Sequence, residues 1–470
     1  MARSFHHSLL AAAVAVVVGG SVMAQDTPLQ EAVLKLRLND KEGAVEKLRE
    51  ILQSDPSNED AHALYRSVSQ DEWYMLMTTQ GEVQQIARSI LDRAKLERRE
   101  RSRDEDTIRG LVAEATSQES DYPTRQRAIN APVANHGEFA VPALVEKLGN
   151  ADDHEGQILA ISALSQLRTA AVLPLLVALQ SEDALLVQNA AAALLLIGDE
   201  RATPMMIHLA KDERANVAAV AQRFVAKHGA KGAAVPAMLQ QSQRYLAGDI
   251  PLGGYSEVVW QLVDGKLVAS DVPALLFPSE LAKQVAATAL RIAPNELEVR
   301  SALAQANLAQ AYLIESSLAQ GDESVQALQP VADELKIAAL ASGTDALRDA
   351  LRDGLAQSLP AVSVGAIEAL ARAEIIDSIE QSTLVAALEA TDKRVRYAAA
   401  DALVRASRGE SLPESKRVVN VLANAVAEEM VRTVQVIAPS EETRAAVQAT
   451  DKARNIAAVA EATAVGGIRS

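Results

Sequence analysis

Four short stretches decide the fold: Ala140-Val141-Pro142-Ala143-Leu144-Val145, Val172-Leu173-Pro174-Leu175-Leu176-Val177, Ala202-Thr203-Pro204-Met205-Met206-Ile207 and Ala234-Val235-Pro236-Ala237-Met238-Leu239. Successive prolines are 32, 30 and 32 residues apart, and a fixed period near 30 residues is the signature of stacked structural repeats. Proline is tolerated in the first turn of a helix, where its missing N–H would have no partner. Each stretch therefore predicts a helix that begins at the proline.

A second, alanine-rich run precedes each of the last three prolines. These runs are Ile158 to Leu167, Val187 to Ile197 and Val217 to Ala226. Gly198 and Gly229 follow the second and third runs, and glycine commonly ends a helix in a left-handed turn. Each repeat is thus predicted to be a pair of helices that buries its apolar face against the next pair, which makes the expected fold an all-α solenoid of stacked helix hairpins.

The composition agrees with this architecture and excludes several classes of protein. The 470 residues are 49% hydrophobic but only 3% aromatic, so the core must be built from Ala, Leu and Val, which disfavours sandwiches and barrels. The net charge of −16 argues against a nucleic-acid or anionic-membrane surface as the main role. Because cysteine is absent, disulfides, zinc–thiolate sites and cysteine nucleophiles are excluded.

The N-terminus has the pattern of an export signal. Arg3 precedes an uncharged apolar run from Leu9 to Val18, which is too short to cross a bilayer, and small residues follow it. We predict cleavage between Ala24 and Gln25, which would remove one charged residue and leave a net charge of −17. No later membrane span is expected, so the mature protein is predicted to be periplasmic or secreted.

The repeated pairs resemble HEAT repeats. The resemblance covers residues 124–242 well and returns over residues 346–409. In that family an acidic residue precedes the first helix, an arginine lies in its first turn, and Ala and Leu pack inward. The matching positions are Asp392, Arg396, Ala399, Ala402 and Leu403. The resemblance implies a fold and specifies no activity.

The flanking segments resemble tetratricopeptide repeats. Residues Gly43 to Leu52, followed by Asp55-Pro56, look like the end of one repeat and the start of the next, and Leu281 to Leu308 has a similar layout. Too few repeats are present for an independent array, so both segments are expected to pack on the central block. Between them, residues 88–106 interleave basic and acidic side chains, which favours a solvated helix with pairs such as Glu97 and Arg101.

Two segments predict β structure. Residues 257–263 and 266–269 are β-prone and flank Asp264-Gly265, which favours a tight hairpin turn. Near the C-terminus, Arg432 to Ile437 reads as a strand and a capped helix should begin at Glu441, like the opening of an incomplete doubly wound domain. The expected organisation is a signal peptide (1–24), tetratricopeptide-like helices with a charged helix (25–120), HEAT-like repeats (121–248), a β-hairpin insertion (249–278), tetratricopeptide-like helices (279–345), HEAT-like repeats (346–425) and a strand–helix tail (426–470).

The sequence offers little chemistry. Some HEAT-like metal hydroxylases bind iron through repeated His-Glu pairs, but His154-Glu155 occurs here once, and a metal ion needs several converging ligands. Phosphate-binding loops, zinc-protease motifs and nucleophile elbows are absent from the sequence. We therefore assign no catalytic residue, metal or cofactor.

A protein-binding surface is the remaining expectation. Second helices line the inner curve of stacked helix pairs, where such proteins hold partners. Aligning the prolines places a polar row four and five residues beyond them: Glu146, Lys147, His208, Gln240 and Gln241. The expected function is a non-enzymatic exported scaffold that binds a protein partner. The alternative is a HEAT-like enzyme of the lyase or hydroxylase type, and a glycan binder is disfavoured by the shortage of aromatic platforms.

Overall fold

The computed structural model describes residues 27–250, 258–373, 378–407, 412, 414–427, 433–435 and 457–459. The chain forms two compact units, the first ending at Ala143 and the second beginning at Leu144. The described residues are largely helical, as the repeat pattern predicts. The signal peptide and its cleavage site at Ala24 and Gln25 lie outside the described residues.

Short capped helices build the first unit. They are α1 (Pro28–Arg37), α2 (Lys41–Gln53), α3 (Asn58–Arg66), α4 (Gln70–Thr78), α5 (Glu82–Ser102), α6 (Glu105–Ala115) and α7 (Tyr122–Asn135). At α1, α3 and α4 the side chain of the residue before the helix accepts a hydrogen bond from a backbone N–H in the first turn. A glutamine or acidic side chain of that turn in turn accepts from the backbone N–H of the capping residue. These reciprocal bonds satisfy donors that the first turn leaves unpaired, so each loop ends at a defined residue.

The charge-dense segment is helical, as predicted, but it is not solvated on all sides. Helix α5 packs against α3 and buries Ile90 and Ala94. On its outer face the Arg101 Nε donates to Glu97 at 2.5 Å. Oppositely charged side chains therefore cover the outside of a helix that belongs to the core of the first unit.

Helix pairs with the expected period lead into and fill the first part of the second unit. They are α8 (Val141–Leu148), α9 (His154–Leu167), α10 (Val172–Ala178), α11 (Ala184–Ile197), α12 (Thr203–Leu209), α13 (Ala215–His228) and α14 (Ala234–Leu246). All four prolines lie in the first turn of their helices, and Gly198 and Gly229 end α11 and α13 in the left-handed conformation. The repeat prediction is confirmed.

Polar side chains connect successive repeats to one another. In the core, the Asn189 Nδ2 donates to the Leu148 carbonyl at 2.9 Å and to Gln157 at 3.2 Å. An Asp-x-Arg sequence precedes several of the repeats. Its aspartate accepts hydrogen bonds from both the backbone N–H and the guanidinium of the arginine two residues later. The pairs are Asp199 with Arg201, Asp212 with Arg214, and Asp392 with Arg394. Arg201 and Arg214 also donate to carbonyls of the preceding repeat, which fixes the stacking register.

The HEAT-like pattern near the C-terminal side is present in the structure. Asp392 precedes α21 and Arg396 lies in its first turn, while Ala399, Ala402 and Leu403 are at most 1% exposed. Asp392 bonds Arg394, and Arg396 donates to the carbonyls of Ala390 and Thr391.

The remaining helices pack around one long central helix. They are α15 (Phe277–Ile292), α16 (Leu297–Ala319), α17 (Gln329–Ala341), α18 (Thr344–Ala356), α19 (Pro360–Arg372), α20 (Ser378–Ala387), α21 (Lys393–Ser407) and α22 (Ser415–Ala427). Helix α16 contacts α14, α15, α17, α18 and α19. The segment with the tetratricopeptide-like pattern forms α15 and α16, which pack against each other, and α16 is 23 residues long.

The predicted hairpin is present, and it packs on helices that lie far from it in the sequence. Strand β1 (Val258–Val263) pairs antiparallel with β2 (Lys266–Asp271), and Asp264 and Gly265 both have positive φ, as a type I′ turn requires. The hairpin packs back on α10, more than eighty residues earlier in the chain, and β1 also contacts α15. It therefore covers part of the repeat surface.

The C-terminal strand is confirmed within the described residues. Strand β3 (Thr433–Gln435) pairs in parallel with β4 (Ala457–Val459). The predicted helix from Glu441 lies outside the described residues.

One apolar stretch departs from the expectation that no later segment could span a membrane. By length and composition, residues 154–178 qualify, and the most apolar 18 residues within them have a mean hydropathy of 1.5. The stretch is broken at Arg168, where φ is +52°, and α9 packs against α11. Core helices of soluble proteins pass the same test.

Candidate functional site

A groove runs across the second unit between the repeat helices and the elements that fold back on them. Helices α10, α12 and α14 form one wall, and α15 with β1 forms the other; we call it the hairpin groove. Its centre is a shallow depression that is open to solvent, with a cavity volume of about 70 Å³. The central lining is Leu173, Leu176, Val177, Gln180, Arg201, Pro204, Met205, Met238, Gln241, Tyr245, Leu281, Gln284, Val285 and Thr288.

The floor of the groove centre is apolar. Leu173 and Met205 are partly buried, and they pack against clusters that α14, α15 and the hairpin contribute. Met238 lies between them and α15 at 2% exposure. Methionine side chains are flexible and polarizable, so such a floor adapts to differently shaped apolar groups.

Three glutamines stand around the apolar floor, each from a different helix or connecting segment. The Gln284 Nε2 on α15 donates to the carbonyl of Trp260 at 3.1 Å. The Gln241 Nε2 on α14 donates to the Tyr245 hydroxyl at 2.8 Å and to the Arg201 carbonyl at 3.3 Å. Gln180, just after α10, donates to Thr288 at 3.4 Å and accepts from Arg291 at 2.5 Å. Among the described residues, the Oε1 atoms of Gln241 and Gln284 accept no hydrogen bond.

The hairpin end of the groove is polar. Glu182, Asp183, Glu280 and Arg291 contribute to its lining together with Trp260, Gln261 and Leu262 of β1. Glu280 is paired with Lys283 at 2.6 Å, and Arg291 bonds to neutral oxygens. Glu182 and Asp183 are exposed and form no ion pair among the described residues; Asp183 accepts from backbone N–H groups of α11. The mouth therefore carries two adjacent carboxylates, of which Asp183 caps α11 and lies within electrostatic reach of Arg214.

Ion pairs hold the side chains at the opposite end of the groove. The Arg201 side chain is 6% exposed and binds Asp199 through two nitrogens at 2.8 and 2.9 Å. Burial alone would raise the pKa of Asp199, but hydrogen bonds from the Arg201 side chain and backbone outweigh it and hold that pKa below its ordinary value. Burial likewise raises the pKa of Tyr245, although its bond with Gln241 opposes the shift. Arg244 bridges Glu200 and Asp249 at the rim.

The structure distributes the polar row expected from proline alignment over different environments. Gln240 and Gln241 both line the Arg244 end of the groove, whereas Glu146, Lys147 and His208 line neither the centre nor either end. The proline is the third residue of α10 and α14 but the second of α8 and α12, so aligning prolines shifts the helices by one residue. Burial lowers the pKa of His208 more than nearby Asp212 raises it.

The structure brings no metal ligands together among the residues it describes. No group of three or more His, Cys, Asp or Glu side chains that could hold a metal ion occurs in that part of the chain. His154 and Glu155 lie in the exposed first turn of α9, where Asp153 caps the helix.

Sequence reasoning missed one wall of the groove. Gln284, Thr288 and Arg291 follow one another on α15 at helical spacing, with Leu281 and Val285 beside them. The amphipathic pattern is present in the sequence, where it resembles part of a tetratricopeptide-like pair. The local sequence does not indicate that α15 packs beside the end of α10, because the contact joins residues more than a hundred positions apart.

Comparisons with known proteins add little to this geometry. No protein-family model matches the chain. No curated protein matches it either. Among solved structures, human deoxyhypusine hydroxylase in complex with glycerol is similar at 17% identity over 67% of this chain and 100% of that one, with a TM-score of 0.20. A likeness at that score is too slight to support an argument about function.

Proposed function

We propose that the protein is an exported helical-repeat scaffold that binds a protein partner in the hairpin groove. The observation that carries the proposal is the groove itself: an apolar floor, amide side chains above it and charged mouths, all on rigid helices. A binding site of this kind combines an apolar area with a few oriented polar groups. The predicted signal peptide supports a role outside the cytoplasm.

An enzymatic role has weaker support. Catalysis needs a nucleophile, a general acid or base, or a metal beside a substrate cavity. The titratable groups that line the groove centre are Arg201, which is bound to Asp199, and Tyr245, whose hydroxyl accepts from Gln241. We therefore favour binding over chemistry at this place.

Site-specific photo-crosslinking in the native cells tests the proposal. A photoreactive residue at Gln240, on the groove wall, should give discrete adducts with a protein partner. The matched control is Gln222, an exposed glutamine on α13 that lies outside the groove lining. Adducts that depend on the groove position support the proposal, whereas equal adduct patterns from both positions contradict it.

A further inference from the structure

We infer that the hairpin groove selects an extended peptide segment that carries one apolar and one basic side chain. The inference rests on the proposed function and narrows its partner to a chemistry. Three observations lead to it independently: the apolar floor, the unpaired amide oxygens and the carboxylates at the hairpin mouth.

The apolar floor requires a side chain of moderate size. Leu173, Met205 and Met238 contribute hydrocarbon and thioether surface to a shallow, open depression. Covering this surface with an apolar side chain such as leucine removes it from water and so stabilises a complex. A ligand without an apolar side chain would leave this surface exposed to water.

The amide oxygens require hydrogen-bond donors beside that side chain. The Oε1 atoms of Gln241 and Gln284 have their own amide nitrogens anchored to the protein, at 2.8 and 3.1 Å, and so are held in place as acceptors. An extended peptide presents backbone N–H groups on both sides of each side chain. A fatty acyl chain would bury the same oxygens without a partner, which is unfavourable.

The hairpin mouth sets the preferred charge. At this mouth the carboxylates of Glu182 and Asp183 outnumber the single guanidinium of Arg291, which is bound only to neutral oxygens, so the mouth is negative overall. A lysine or arginine that follows the apolar side chain along the groove would meet these carboxylates. Since both are exposed, the contribution is modest and sensitive to salt.

Binding of defined peptides tests the inference. The probes are fluorescein-labelled nine-residue serine–glycine peptides with a central leucine and one lysine two to four residues to either side, measured by anisotropy on the full-length protein. The strongest member should saturate below about 1 mM. Replacing its leucine by alanine should weaken binding about 10-fold or more, and replacing its lysine by glutamate about 2- to 5-fold.

Matched variants locate the effect. N-methylation of the peptide bonds that flank the leucine should weaken binding about 2- to 10-fold to the wild type but have little effect on Gln241→Ala/Gln284→Ala. Glu182→Lys should reverse the preference for lysine over glutamate, and Gln222→Ala should change nothing. Circular dichroism checks that each variant keeps its helical content.

Several results would overturn the inference: no saturation by any probe, equal affinity for the leucine and alanine peptides, or an unaltered charge preference in Glu182→Lys. If a fluorescent fatty acid displaces the peptide and N-methylation of the peptide does not change its affinity, the groove binds lipid instead. If Gln240 gives groove-dependent crosslinks but the protein does not discriminate among the peptides, this inference is wrong and the proposed function still holds. If the peptides are discriminated but Gln240 gives no groove-dependent crosslink, the proposed function is wrong.

Discussion

At the scale of single residues, the repeat pattern determines which side chains are buried. Leu194 on α11 is fully buried, whereas Leu196 two positions later is 57% exposed. The two leucines belong to one apolar run, and only the helical period separates the inward from the outward position. The sequence was therefore sufficient to predict the core of the repeats.

Leu194→Ala should lower the free energy of unfolding by about 2–5 kcal/mol, because it leaves a cavity between neighbouring helix pairs. Leu196→Ala is the matched control on the same helix and should change it by less than about 1 kcal/mol. Urea denaturation followed by circular dichroism measures both. Equal effects would show that α11 is rotated from the orientation described.

A pH-dependent stability is expected from the Asp199–Arg201 pair. Since the pKa of Asp199 is lowered in the folded state, its charge stabilises the fold above its ordinary pKa, and that contribution is lost as pH falls through the folded value. Asp199→Asn should therefore cost about 1–3 kcal/mol at pH 7 and progressively less towards pH 3. Thermal unfolding across this range checks the trend, with the exposed Asp249→Asn as a control of small effect. A difference that stays constant with pH would contradict the assignment.

The predicted polar row shows where residue-level reasoning ends. Gln240 and Gln241 lie on a groove wall, but His208 and Lys147 do not. Proline marks the first turn of a helix without specifying which residue of that turn it occupies. A shift of one residue rotates a side chain by about 100°, which is enough to move it to another face.

At the scale of elements, close helix contacts depend on glycine at some positions and tolerate it at others. A Cβ on Gly354 of α18 would lie 2.9 Å from the Ser363 Oγ and 3.1 Å from its backbone nitrogen on α19. A Cβ on Gly110 of α6 would meet nothing within 4 Å. The two glycines therefore have different roles in helices of similar length.

Gly354→Ala should destabilise the protein by about 1–3 kcal/mol, because α18 and α19 would have to separate. Gly110→Ala should stabilise it by about 0.5–1 kcal/mol, since alanine favours the helix and meets no neighbour. Denaturation midpoints of the two variants provide the comparison. Shifts in the same direction would contradict the α18–α19 packing.

The β-hairpin illustrates what element-level prediction could and could not supply. Asp264-Gly265 predicted the turn, and both residues adopt the positive φ that it needs. The docking of β1 on α10 could not be predicted, because it depends on contacts between distant segments and not on local preference. The candidate site arises from that docking.

At the scale of the whole molecule, the protein is an array of helix pairs whose surface is partly covered by its own later elements. Helix α15 and β1 turn one face of α10, α12 and α14 into the wall of a groove. The repeat period predicted the array, whereas the groove required the structure. We infer that this groove binds a peptide.

Hydrogen–deuterium exchange of the full-length protein with the leucine–lysine peptide tests that claim most directly. Backbone amides of residues 172–180, 203–209, 234–246, 258–263 and 277–292 should exchange more slowly at saturating peptide. The first unit, including α2 and α3, should be unchanged. Protection confined to other helices, or no protection at saturation, would contradict it.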